Sequence, residues 1–67
     1  MQGTIVSVRI SNGYGFIQPD GGGENIFFHA SDLVGLDFDE TLRERAVVFA
    51  TIHTDRGLKA INVRAAR

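Results

Sequence analysis

Apolar and polar residues alternate in short runs along this chain, and turn-forming residues separate the runs. Period-two alternation places successive side chains on opposite faces of a strand. The pattern predicts five strands. The first covers Thr4 to Ile10, and strict alternation puts Val6, Val8 and Ile10 on one face and Ile5, Ser7 and Arg9 on the other. Both sets contain apolar side chains, so the pattern alone does not say which faces inward. Ser11-Asn12-Gly13 follows as a turn; Asn-Gly between apolar strands is the strongest short hairpin signal. The second strand runs from Tyr14 to Gln18, with Tyr14 and Phe16 on one face and Ile17 on the other. Gly15 inside it marks a close backbone approach or a local bend.

The third strand spans Asn25 to Ala30. Phe27 and His29 share one face, and Ile26, Phe28 and Ala30 share the other. Ala46 to Thr54 is the fourth strand, with Val47 and Phe49 opposed to Val48, Ala50 and Ile52. After the turn Asp55-Arg56-Gly57, a fifth strand covers Leu58 to Val63 and extends towards Ala65. Pro19 to Gly23 reads as a flexible hairpin loop; its glycines lack the Gly-Lys-Ser/Thr of a phosphate-binding loop. Ser31 to Val34 is expected to form one helical turn capped by Ser31. Gly35 to Arg45 is a long polar connection, of a length often tied to function in small domains. Five turn-separated strands with hardly any helix indicate an all-β barrel or sandwich. Barrel closure would remove exposed edges.

Composition narrows the classes. Sixty-seven residues make one domain, 1–67, with a modest core. The absence of cysteine excludes disulfides and thiolate metal sites, and His29 and His53 are too few for a structural zinc site. No cofactor is expected. No basic-then-apolar leader and no apolar run of about 20 residues is present, so a cytoplasmic chain with no membrane span is expected. No serine or cysteine nucleophile with a nearby histidine is expected, and Asp37, Asp39 and Glu40 read as a solvated acidic stretch, so an enzyme is not expected. The net charge of −1 is unusual for a nucleic-acid binder, but the charge is uneven. Acids gather in the middle, whereas Arg45, Arg56, Lys59, Arg64 and Arg67 lie in the last third. A locally basic face is compatible with that distribution.

Three of the six aromatic residues, Tyr14, Phe16 and Phe27, therefore share a sheet face with His29. Aromatic stripes are usually core. Here Ile17, Ile26 and Phe28 already supply an interior, and a small barrel has no room for two sets of rings. The set with polar members, His29 and Gln18, belongs outside. An exposed aromatic face suits unstacked bases, because every base has a π-face. Phe38 either extends this platform or tucks under the barrel. Arg56, at a turn tip, either meets phosphate or base or is a solvated turn residue.

Two segments carry a specific resemblance. Asn12-Gly13-Tyr14-Gly15-Phe16-Ile17 resembles the first ribonucleoprotein motif of the bacterial cold-shock proteins, and Ile26-Phe27-Phe28-His29-Ala30-Ser31 resembles the second. Gly3-Thr4, Phe38, Arg56-Gly57 and Ala60-Ile61-Asn62-Val63 also fall where that family has similar residues. The resemblance implies a five-stranded oligonucleotide-binding (OB-fold) barrel that binds single-stranded RNA and DNA. It implies nucleic-acid contacts at Tyr14, Phe16, Phe27, His29, Phe38 and Arg56, and a role as RNA chaperone or regulator of transcription or translation.

The departures from the family pattern are specific too. Val6-Ser7-Val8 stands where the family usually has Lys-Trp-Phe, Asn12 where it has lysine, and Ala30 where it has phenylalanine. Two stacking platforms and two phosphate-facing lysines are thus missing. The lost stacking amounts to about 2–6 kcal/mol if the terms add, enough to turn nanomolar binding into micromolar at ~1.4 kcal/mol per tenfold. Arg9 and Lys59 restore part of the charge. The alternative is an OB domain that binds a protein, or itself as a weak homodimer, through Val6, Ile10 and the aromatic face.

Overall fold

β-branched and aromatic residues at alternating positions favour pleated strands packed on one face, and the chain forms five of them. A computed structural model describes residues 1–66. The strands are β1 (Gln2–Arg9), β2 (Tyr14–Pro19), β3 (Ile26–His29), β4 (Ala46–Thr54) and β5 (Gly57–Ala65). They close into a barrel in the order β1-β2-β3-β5-β4, with β4 returning to β1. β1, β2 and β3 form an antiparallel meander, β4 and β5 an antiparallel hairpin, and β3 meets β5 in parallel. This is the all-β OB-type barrel expected from the sequence.

The partition of β2 and β3 follows strict alternation: Ile17, Ile26 and Phe28 are buried, while Tyr14, Phe16 and Phe27 are half-buried on the other face. β1 departs from the expected alternation. Its register against β2 shifts between Ile5 and Ser7, so Val6 is an extra, bulged residue. The bulge places both Ile5 and Val8 in the core and leaves Val6 44% exposed. It also separates Ser7 and Arg9 from Ile5, setting them opposite Phe16 and Tyr14. A bulge re-aims the side chains beyond it in this way.

The connections differ from expectation in detail. Ile10–Asn12 forms a 3-10 turn rather than the end of β1, and Gly13 closes it at φ 78°, a left-handed conformation that glycine adopts freely. The helical turn after β3 covers Ala30–Asp32, and its capping residue is His29 rather than Ser31. The long connection contains a further 3-10 turn, Glu40–Leu42, which buries Leu42 in the core. Asp39 caps it: the Thr41 N–H donates to the Asp39 carboxylate at 2.9 Å, and the Thr41 hydroxyl donates as well. The hydroxyl bond first, and the backbone bond second, hold the Asp39 carboxyl below its usual range. The segment then pairs with β1, as Glu44 N–H donates to Ile5 O at 2.7 Å and Ile5 N–H to Arg45 O at 3.0 Å.

Gly15 and Asn62 are among the positions that limit substitution. A Cβ on Gly15 would clash with Ser7 O and lie 2.8 Å from the Phe28 ring. Asn62 sits at φ 52° where β5 carries one residue more than β4 between the Val48–Arg64 and Ala50–Ile61 pairs. Asparagine tolerates that left-handed conformation better than branched residues do. Gly15→Ala should destabilise the barrel by about 1–3 kcal/mol or more, as overpacking does. Asn62→Val should cost about 1–2 kcal/mol, whereas Asn62→Gly should not. Urea denaturation followed by circular dichroism measures both. A Gly15→Ala variant as stable as the parent would show that β1 and β2 can separate without penalty.

Candidate nucleic-acid interface

The register builds the site as rows across the barrel. Residues directly opposite in neighbouring strands share a face. One row runs Ser7, Phe16, Phe27, Lys59, Ile52, from β1 through β2, β3 and β5 to β4. The next runs Arg9, Tyr14, His29. Sequence alternation alone therefore finds the centre of the face, and pairing adds its flanks.

The three rings touch one another. Tyr14 and Phe16 meet edge to face with centroids 5.9 Å apart, Phe16 and Phe27 likewise at 6.0 Å, and Tyr14 and Phe27 are tilted at 5.5 Å. Each separation lies in the favourable range for aromatic pairs, about 4.5–7 Å. The cluster supports its own geometry and presents ring surface to solvent.

His29 is held at its edge. The Ser31 N–H donates to His29 Nδ1 at 3.0 Å, and Ser31 Oγ lies 2.9 Å from the same nitrogen. The backbone N–H of His29 donates in turn to Asp32 Oδ2 at 2.9 Å. The expectation that no serine has a histidine nearby fails here: Ser31, two residues on, is brought against the ring by the tight turn. With the Ser31 N–H aimed at Nδ1, the neutral ring carries its proton on Nε2. The contact orients a cap.

Two grooves flank the rings and share Phe16, Phe27, Arg56 and Leu58. The larger, of about 450 Å³, also includes Met1, Glu24 and part of the glycine loop. The smaller, of about 360 Å³, adds His29, Thr54 and Lys59. Arg56 lies in the turn between β4 and β5, where its N–H donates to Thr54 Oγ1 at 3.2 Å and Thr54 Oγ1 donates to Gly57 O at 2.8 Å. Gln18 reaches the glycine loop, its Nε2 donating to Gly23 O at 3.2 Å.

The structure thus gathers Tyr14, Phe16, Phe27, His29 and Arg56 at one face. It does not gather Phe38 with them. Phe38 is half-buried against the core, its ring 6.4 Å from that of Phe28 on the inner face of β3. Leu58, like Met1, is an apolar groove residue that sequence reasoning misses. Alternation from buried Ala60 assigns it inward, but the hairpin from Ile52 to Leu58 is exposed throughout and leaves Leu58 44% accessible. The pairing of Lys59 with Phe27 depends on the parallel β3–β5 contact, which no local pattern announces.

The 'Cold-shock' DNA-binding domain model matches residues 1–66. The chain belongs to the cold-shock domain family. It is 41% identical over 63 residues to the cold shock-like protein CspA of Stigmatella aurantiaca, covering 92% of this chain and 91% of that protein. It is 36% identical over 61 residues to the major cold shock protein of Micrococcus luteus, covering 91% of each. Among solved structures, Drosophila Unr CSD456 superposes with a TM-score of 0.77 at 26% identity. That likeness covers 98% of this chain but only 26% of the other. Cold-shock domains bind single-stranded nucleic acid and are not enzymes. No helix among the described residues is long and apolar enough to cross a membrane.

In this cold-shock domain the first row ends at Ser7 beside Phe16, and Ala30 follows His29 in the 3-10 turn. Nitrogen-15 NMR of the imidazole should show a bare, hydrogen-bonded Nδ1 and a protonated Nε2 in the neutral ring of His29. The opposite tautomer would mean that the Ser31 N–H does not cap onto the ring.

Proposed function

We propose that this cold-shock domain binds single-stranded RNA and DNA on the outer face of β1, β2 and β3. Bases would stack on Tyr14, Phe16, Phe27 and His29, with Arg56 near phosphate or base. The observation that carries this reading is the mutual contact of three half-exposed rings, flanked by grooves of about 450 and 360 Å³. Phe38 would add only the exposed edge of a ring otherwise packed on Phe28. A protein that traps unpaired bases lowers the population of base-paired structure without any energy source. The role that follows is that of a cytoplasmic RNA chaperone influencing transcription or translation.

Affinity should be moderate. Few cations stand at the face, and two platforms usual in the family are missing. Micromolar binding of an oligothymidine heptamer is expected, monitored by Tyr14 fluorescence or calorimetry. Phe16→Ala and Phe27→Ala should each lose about 1–3 kcal/mol of binding, roughly five- to 160-fold. If phosphate contacts are limited to Arg9 and Arg56, log K should fall with log salt at a slope near −1.4, about −0.7 per contact on a single strand. Folded ring variants that bind as tightly as the parent would sink the stacking reading.

A second reading has its own observation. Val6 and Ile10 are 44% and 43% exposed. They offer apolar surface for weak self-association or for a protein partner. Sedimentation across a concentration series, with and without oligonucleotide, separates the readings: competition places self-association on the aromatic face, and a monomer throughout removes it.

A further inference from the structure

Asp32 ties together two groups of the interface that belong to different strands. Its Oδ2 accepts the backbone N–H of His29 at 2.9 Å and lies 3.4 Å from Lys59 Nζ. The Asp32 side chain is 11% exposed and that of Lys59 is 29% exposed. Lys59 stands directly opposite Phe27 across the parallel β3–β5 contact and lines the smaller groove with His29 and Arg56. A lysine in that place would be a natural partner for a phosphate following the stacked bases. Its charge is already faced by a carboxylate, and a partly buried pair is screened less by salt than an exposed one. A phosphate approaching Lys59 must displace Asp32 or lie beside its negative charge.

We propose that Asp32 is a positioning residue of this interface, which fixes His29 and Lys59 while withholding the charge of Lys59 from phosphate. The inference rests on the proposed single-strand binding. It assigns Lys59 the part of a held hydrogen-bond donor at the groove wall. It also explains how a lysine can sit in the groove without making the face strongly basic. The two tasks of Asp32 are chemically separable. Asparagine keeps an oxygen to accept the His29 N–H but carries no charge for Lys59. Alanine removes both.

The test compares the parent chain, Asp32→Asn, Asp32→Ala and the double variant Asp32→Asn with Lys59→Gln, each titrated with an oligothymidine heptamer over a salt series. Asp32→Asn should bind about five- to tenfold tighter at about 50 mM salt, with a slope steeper by about 0.7, as one more neutralised phosphate on a single strand gives. The double variant should lose both the gain and the added slope. Asp32→Ala should gain less than Asp32→Asn, because His29 loses its anchor. An unchanged slope in Asp32→Asn, or a gain that survives removal of Lys59, would overturn the proposal.

A readout on the free protein keeps this claim separate from the functional one. The His29 amide proton resonance should move upfield in Asp32→Ala and stay near its parent position in Asp32→Asn. If the parent chain binds no oligonucleotide, the proposed function fails and the charge-withholding half falls with it. The positioning half is then decided by that resonance: a His29 amide indifferent to Asp32→Ala overturns it, and the expected shift upholds it.

Discussion

The approach of β1 to β2 over Gly15 is the constraint on which the rest of this barrel depends. Phe28 fills the space under Gly15, and the carbonyl of Ser7 comes close above it, with no room for even a methyl group between them. Once Phe28 occupies the interior with Ile17, Ile26 and Phe49, no second group of rings fits inside. Tyr14, Phe16 and Phe27 are then outside by exclusion as much as by pattern. The same glycine that lets the barrel close thus decides that an aromatic face exists.

How much of this is legible in the sequence depends on whether the determining contact is local. β2 and β3 are short and unbulged, so period-two alternation assigns Tyr14, Phe16, Phe27 and His29 correctly to one face. In β1 the pattern is ambiguous because apolar residues occupy both parities. The bulge at Val6 resolves it by placing Ile5 and Val8 on the same side, which strict alternation forbids. The cap of the turn after β3 differs for a related reason: serine is the more usual capping residue, but here an imidazole nitrogen takes that place two residues earlier. Phe38 could be read either way from the sequence, since only the packing of the long connection brings it to Phe28. Leu58 and Lys59 reach the grooves through the parallel strand contact and an overhanging hairpin, both long-range features.

The electrostatics follow the same division. A net charge of −1 says little about the face itself. Arg43 is spent elsewhere, donating to Glu40 and, at 2.9 Å, to the Val8 carbonyl. Lys59 is paired with Asp32. Arg9 and Arg56 remain at opposite margins of the rings, one placed there by a bulge and the other by a turn. Under the proposed reading, recognition leans on ring surface more than on charge. Such a module would respond only weakly to ionic strength.

The parallel contact between β3 and β5 is short, with Phe27 and Lys59 as its registered pair. It continues beyond the strands through the bridge between Leu33 and Val63, where the Val34 N–H donates to Val63 O at 2.8 Å. This is one of two seams, with β1–β4 the other, where the meander of the first half of the chain is joined to the hairpin of the second. The aromatic face lies across it, with Phe27 on one bank and Lys59 on the other. A strand laid along that row would act as a clasp over the join between the two halves. Whatever binds only the closed barrel raises its resistance to unfolding by mass action. Occupancy of the face and integrity of the fold would then be two measures of one equilibrium.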